Sequence, residues 1–174
     1  MRRRLIYLGL LAAALLGSFF LTLWQLDDGR VSAVDPADTR SDSERLASQQ
    51  VTDYSDLRRA AGKAGLKFSL DMIGTVDSYS RVNERDVTIS GWLADPEGDG
   101  NPLKVMVFLE GAVAATAETR GERPDVARLK GLAFGTEKNV VFAVNVACRT
   151  GQQPVVVGLG IKRQYFPLPI SPCP

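Results

Sequence analysis

The sequence predicts a mainly β domain, a two-sheet antiparallel sandwich with one short helical turn, carried behind an N-terminal transmembrane helix and a polar stalk. Three observations lead there. Leu5–Trp24 (LIYLGLLAAALLGSFFLTLW) is apolar and carries no charge. From about Phe68 onward, apolar residues recur at every second position, the spacing of strands. About six such runs, separated by Gly, Pro and Asp turns, fall within about 105 residues, enough for one two-layer core. The expected parts are an anchor over 1–26, a stalk over 27–66 and a β-sandwich over 67–174.

The anchor follows from length. About 20 helical residues span roughly 30 Å, the hydrocarbon thickness of a bilayer. Secretory signals have shorter apolar regions and a small-x-small cleavage site close behind. Here Ala12–Ala14 lies inside the run and Val31-Ser32-Ala33 comes late, which favours a retained anchor over a cleaved signal. Leu15-Leu16-Gly17-Ser18 has the outline of a lipoprotein box with Ser18 where the lipidated Cys must stand. Arg2, Arg3 and Arg4 precede the run and Asp27 and Asp28 follow it, so the N-terminus is expected in the cytoplasm and the remainder outside.

Residues 27–66 are polar and without strand alternation, and read as a stalk. Ser41-Asp42-Ser43-Glu44 has capping-box spacing, and Leu46, Tyr54, Leu57 and Ala61 would share one face of a weak helix over roughly 43–61, ending at Gly62. That stripe is thin, so a solvated, partly helical tether is expected rather than a dimerising or membrane-surface helix.

The strands come next. One is expected over Ile73–Val82. In the following run Val87, Ile89 and Leu93 alternate with Thr88, Ser90 and Trp92. Leu103, Val105, Val107 and Leu109 alternate with Lys104, Met106 and Phe108, and Glu110-Gly111 offers a hairpin turn into Val113–Thr119. Arg123–Leu129 is the helical turn, with Pro124 suited to its first positions. Val140, Phe142, Val144 and Val146 form a further run, as do Val155, Val157, Leu159 and Ile161.

Several of these residues also form ordered motifs: Gly74-Thr75-Val76-Asp77, Gly91-Trp92-Leu93-Ala94-Asp95-Pro96, Leu109-Glu110-Gly111, Arg123-Pro124-Asp125-Val126-Ala127 and Leu168-Pro169-Ile170-Ser171-Pro172. In this order they resemble the small immunoglobulin-like β-sandwich module of bacterial glycosyltransferases and cell-surface glycan-associated proteins. The resemblance spans residues 73–172. Glu110 replaces that module's usual Asp, and Ala133-Phe134-Gly135 replaces its His-Gly-Phe. It implies an Ig-like fold and an association with the bacterial envelope, and brings no catalytic residues.

Composition excludes several functions. The chain has 174 residues, 21 basic and 20 acidic, so no basic field points to nucleic acid. With no His, the Ser-His-Asp and Cys-His constellations are absent. An enzyme is not expected; Asp77 and Asp95 would be a catalytic pair only if the fold brought them into one cleft. Cys148 and Cys173 are expected to form a disulfide in an oxidising compartment, the alternative being two free thiols.

Two stretches are candidate sites. Asp95, Glu97, Asp99 and Asn101 alternate as Ca²⁺ ligands do, but Met106 stands where the bidentate Glu of such a loop belongs, and Asp-Pro and Asn-Pro are ordinary turn chemistry. No cofactor is therefore expected. Strict alternation places Trp92 opposite the core-facing residues, where Trp92, Met106 and Phe108 would form an aromatic ligand platform. Two architectural readings compete: a bulge at Gly91 turns Trp92 inward, or the Arg123–Leu129 turn covers it, with Gly158 and Gly160 making room for its ring.

The expected protein is thus single-pass in the bacterial inner membrane, with a periplasmic or extracellular module that binds an envelope glycan or a protein partner. The alternative is an assembly subunit of an envelope complex, acting through its transmembrane helix and stalk.

Overall fold

A computed structural model describes residues 41–98, 100–126 and 138–174. The apolar segment 5–24, the polar stretch 27–40, Asp99 and most of the 123–129 turn beyond Val126 lie outside the described residues. Among the described residues no helix is long and apolar enough to cross a membrane.

The domain is mainly β, with two sheets consistent with a sandwich. Its strands are β1 (Lys67–Phe68), β2 (Ile73–Arg81), β3 (Asp86–Ala94), β4 (Lys104–Leu109), β5 (Ala112–Glu118), β6 (Val141–Ala147), β7 (Val155–Gly160) and β8 (Gln164–Leu168). One sheet has the order β1-β8-β7-β4-β5 and the other β2-β3-β6. Every pairing is antiparallel except β1 with β8. Val87, Ile89, Leu93, Phe142, Val144 and Val146 of the smaller sheet close on Val105, Val107, Leu109, Val156 and Leu168 of the larger. These are one alternate set from each strand, as a period of two requires.

Two turns show the local chemistry. Glu110 and Gly111 both adopt positive φ (53° and 88°), the conformation a two-residue hairpin loop needs to match strand twist. In β2 the pairing slips between Val76 and Ser78, leaving Asp77 bulged opposite Gly91. A Cβ on Gly91 would lie 2.1 Å from the Thr75 carbonyl oxygen, so only glycine lets the two strands approach here.

The main departure from expectation is the segment 41–66, which is not a solvated stalk. It forms α1 (Asp42–Ala47) and α2 (Tyr54–Lys63). Ser41 and Glu44 form the capping box expected of them, the Ser41 N–H donating to Glu44 Oε2 at 2.6 Å and the Glu44 N–H to Ser41 Oγ at 3.3 Å. Asp53 caps α2 by accepting the Asp56 N–H at 2.7 Å. The helix runs through Gly62 and stops at Gly65 (φ 74°), where the Leu66 N–H reaches the Ala61 carbonyl at 2.8 Å and the Gly65 N–H reaches Gly62 at 3.0 Å. That pair of bonds is a Schellman closure.

Both helices pack on the outer face of the larger sheet. Leu46, Val51, Leu57, Ala60, Ala61, Ala64 and Leu66 share a second core with Met106, Phe108, Val155, Val157, Leu159 and Tyr165. Val51 also bridges to the β4–β5 hairpin, its N–H donating to the Gly111 carbonyl at 3.1 Å. The third layer explains why β4 and β7 are apolar on both faces. Val155, Val157 and Leu159 face the helices, while Val156 and Gly158 face the sandwich interior.

Candidate functional site

The structure separates the three residues expected to form an aromatic platform. Val87, Ile89 and Leu93 point into the sandwich, so alternation does put Trp92 on the outer face of its sheet. There it is only 7 % exposed, packed with Ala94, Val126 and Val140. Met106 and Phe108 lie on the other sheet, beneath the helices, and are 1 % and 0 % exposed. No shared surface exists for a ligand to stack on. The room left by Gly158 is used by Leu93, whose Cδ2 would be 2.2 Å from a Cβ at that position, and Gly160 faces Met72 and Asp95.

What covers Trp92 is the helical turn beginning at Pro124, and an ion-pair clamp holds that turn in place. Arg123 donates from Nε and Nη2 to the two Asp125 carboxylate oxygens, each at 2.9 Å. Its Nη1 donates to Asp77 Oδ2 at 2.8 Å. The bulge at Asp77 thus presents a carboxylate to an arginine 46 positions away. Hydrogen bonds from Arg123 hold the Asp125 carboxyl below the usual carboxylate range. Asp77 is committed to this clamp and Asp95 to backbone amides elsewhere, so the two do not share partners as a catalytic pair would.

The acidic stretch after β3 is occupied by its own turn. Asp95 is buried, accepting the Glu97 N–H at 3.0 Å on Oδ1 and the Ile161 N–H at 3.3 Å on Oδ2. Glu97 pairs with Lys162 at 3.1 Å. Asn101 donates its side-chain amide to the Gly98 carbonyl at 2.8 Å. Among the described residues no group of three or more acids or cysteines is placed to hold a metal ion. Asp95 here ties the β3–β4 corner to the β7–β8 turn.

Cys148 and Cys173 are joined in a disulfide with a Cα–Cα distance of 6.2 Å. It holds the Pro-rich tail to the 149–153 turn, where the Cys173 N–H donates to the Gln152 carbonyl at 2.8 Å and the Gly151 N–H to the Cys173 carbonyl at 2.9 Å.

A different surface carries one exposed aromatic ring, Phe68, beside the half-buried Tyr54 and the buried Tyr165. Beside β1, at the edge of the larger sheet, a groove of about 400 Å³ is lined by Tyr54, Leu57, Arg58, Phe68, Tyr165 and Pro167. Phe68 is 50 % exposed, edge-on to Tyr165 with ring centroids 5.8 Å apart and stacked on Phe166 at 6.4 Å. Tyr54 donates its hydroxyl to the Leu168 carbonyl at 2.7 Å, which fixes the ring. Burial raises the Tyr54 phenol above its ordinary pKa. Arg58, exposed at the rim, makes no ion pair among the described residues.

Sequence reasoning missed this groove because half its lining comes from a helix taken as stalk. The available signal was the pair Lys67-Phe68 and Gln164-Tyr165-Phe166-Pro167, two aromatic-bearing runs outside the main alternation. Comparison with protein-family models, curated proteins and solved structures finds no match for this chain.

Proposed function

We propose that the protein is a membrane-anchored, extracytoplasmic binding or accessory module that recognises an envelope glycan or a protein partner. In this reading Leu5–Trp24 spans the bacterial inner membrane with the N-terminus in the cytoplasm, and an Ig-like sandwich is carried in the periplasm or outside the cell. No catalytic role is proposed. The observation that carries the binding role is the groove lined by Tyr54, Phe68 and Tyr165 with Arg58 at its rim. It combines the exposed Phe68 ring and the half-buried Tyr54 ring with the Arg58 guanidinium, groups suited to stacking on a ring and pairing with an acidic substituent. The disulfide supports an oxidising compartment.

The test is retention of ligand by the full chain in detergent, on a glycan array and in pulldowns from envelope extract, beside the variant Tyr54→Ala/Arg58→Ala. Loss of about tenfold or more in retention by the variant is expected if these side chains are anchors. No retained ligand in either format, or equal retention by the variant, removes the support. Exchange of Leu5–Trp24 for an unrelated spanning helix addresses the assembly role separately. Function lost with an intact outer domain would favour it.

A further inference from the structure

We infer that the corner between α2 and β1 seats on an anionic bilayer surface, with Phe68 and Leu70 entering the interface and Arg58, Lys63 and Lys67 facing the lipid phosphates. The inference rests on the membrane-anchored reading for its geometry, and it shares Phe68 and Arg58 with the groove's lining, so a lipid surface and the groove's ligand would compete for those two side chains.

Charge is the first reason. The chain as a whole is balanced, yet Leu57–Leu70 carries Arg58, Arg59, Lys63 and Lys67 and no acid. Arg59 is paired with Asp56. Arg58, Lys63 and Lys67 are exposed and make no ion pair among the described residues. The acids that bound the stretch are Asp56, taken up by Arg59, and the exposed Asp71.

The second reason is the pair of exposed apolar side chains that follows these cations in the chain. Leu70 is 86 % exposed and Phe68 50 %, on either side of Ser69, which is buried. Ser69 fixes the chain there. Its N–H donates to the Tyr165 carbonyl at 3.0 Å and its Oγ accepts the Met72 N–H at 3.0 Å, so the two apolar side chains are held outward by a rigid backbone. Exposed Phe and Leu amid Lys and Arg is the composition of an interfacial anchor.

The third reason is where the tether joins. The described chain starts at Ser41, directly before α1, and Arg163 links that point to the corner. Its Nε lies 3.3 Å from Asp42 Oδ1, and its carbonyl accepts the Lys67 N–H at 2.9 Å. Residues 25–40, between the apolar segment and Ser41, reach at most about 55 Å when fully extended. A chain that leaves the bilayer and joins the domain beside Lys67 holds this corner at high local concentration near the lipid surface.

The experiment uses the full chain with Leu70→Cys, labelled with an environment-sensitive fluorophore. The native cysteines are joined to each other, so the label is unique. Val82→Cys, also exposed, at 62 %, on the β2–β3 hairpin, is the reference. Each is reconstituted in bilayers of phosphatidylcholine with or without phosphatidylglycerol. The expected result is a blue shift and quenching by spin-labelled lipid at position 70 only, dependent on phosphatidylglycerol, weakened by salt, and abolished by Lys63→Glu/Lys67→Glu.

A position 70 that stays as wet as position 82 in phosphatidylglycerol bilayers overturns the inference. So does a blue shift that appears without lipid as protein concentration rises, which would mean a second copy covers the corner. Carbonate extraction of the same bilayers reads the anchor by itself. If the chain is extracted, the anchored reading fails, and vesicles of the same two compositions added to the released chain still give the docking result through the same label. Tyr54→Ala, which lies in the groove lining while Leu70, Lys63 and Lys67 do not, should leave the shift in place.

Discussion

Truncating Leu57 to alanine tests whether α2 belongs to the folded domain. Leu57 is 1 % exposed, packed among Phe108, Val157 and their neighbours in the second core. Removing three carbons at ~0.8 kcal/mol each forfeits about 2.4 kcal/mol of transfer free energy. The cavity left on a rigid sheet brings the total to about 3 kcal/mol, within the usual range for buried leucines. For a folded unit of this size that lowers Tm by roughly 10 °C. A leucine on a solvated stalk would change stability by less than about 0.5 kcal/mol.

The assay is thermal and denaturant unfolding of the full chain in detergent, in a Trp24→Phe background, so that fluorescence reports Trp92 alone. Trp92 sits on the outer face of the β2-β3-β6 sheet, away from the helices. Its transition shifts with Leu57→Ala only if helices and sandwich unfold together. An unmoved Trp92 midpoint, with helical signal lost early, would show that α1 and α2 are a separate appendage and refute the three-layer description.

Three further outcomes follow from the same contacts. Arg123→Gln should unpin the turn over Trp92 and raise its quenching by iodide. It should also flatten the acid limb of stability: Asp125 is held below its unfolded value near 4, so its contribution is present above that value and fades as pH falls through the depressed folded one. An unchanged quenching constant and acid limb would contradict the clamp. Gly158→Ala drives a Cβ into Leu93 and should cost about 1–3 kcal/mol by overpacking, with Leu93→Val recovering part of it; additive losses in the double variant would count against that contact. Reducing the Cys148–Cys173 bond, which spans 25 positions, should lower stability by about 3 kcal/mol, read as a denaturant midpoint shift that Cys173→Ser reproduces. Equal midpoints with and without reductant would remove the bond's role in holding the tail.

Six of the eight strands were legible along the chain, because a period of two is a local property, whereas β1 and β8 fall outside that alternation. Alternation at Val87, Ile89 and Leu93 identified the core side of β3, and with it the outward direction of Trp92. The capping box at Ser41 and Glu44 was equally legible, being a bond between residues three apart. Which outward faces are covered depends on contacts between elements far apart in the chain. Met106 and Phe108 have the same alternation whether they meet solvent or a helix, and the helix that covers them shows a modest stripe built from Leu57 and small alanines beside Arg58 and Arg59. Its burial is set by the apolar sheet face it meets, not by its own hydrophobicity, so composition reads it as a stalk.

Likewise, nothing near Trp92 in sequence announces that Asp77 and Arg123 will pin a turn across it. That depends on a bulge in one strand reaching a loop 46 positions away. Local periodicity carries the orientation of a side chain. Its exposure is a property of whatever packs opposite, which is written elsewhere in the chain.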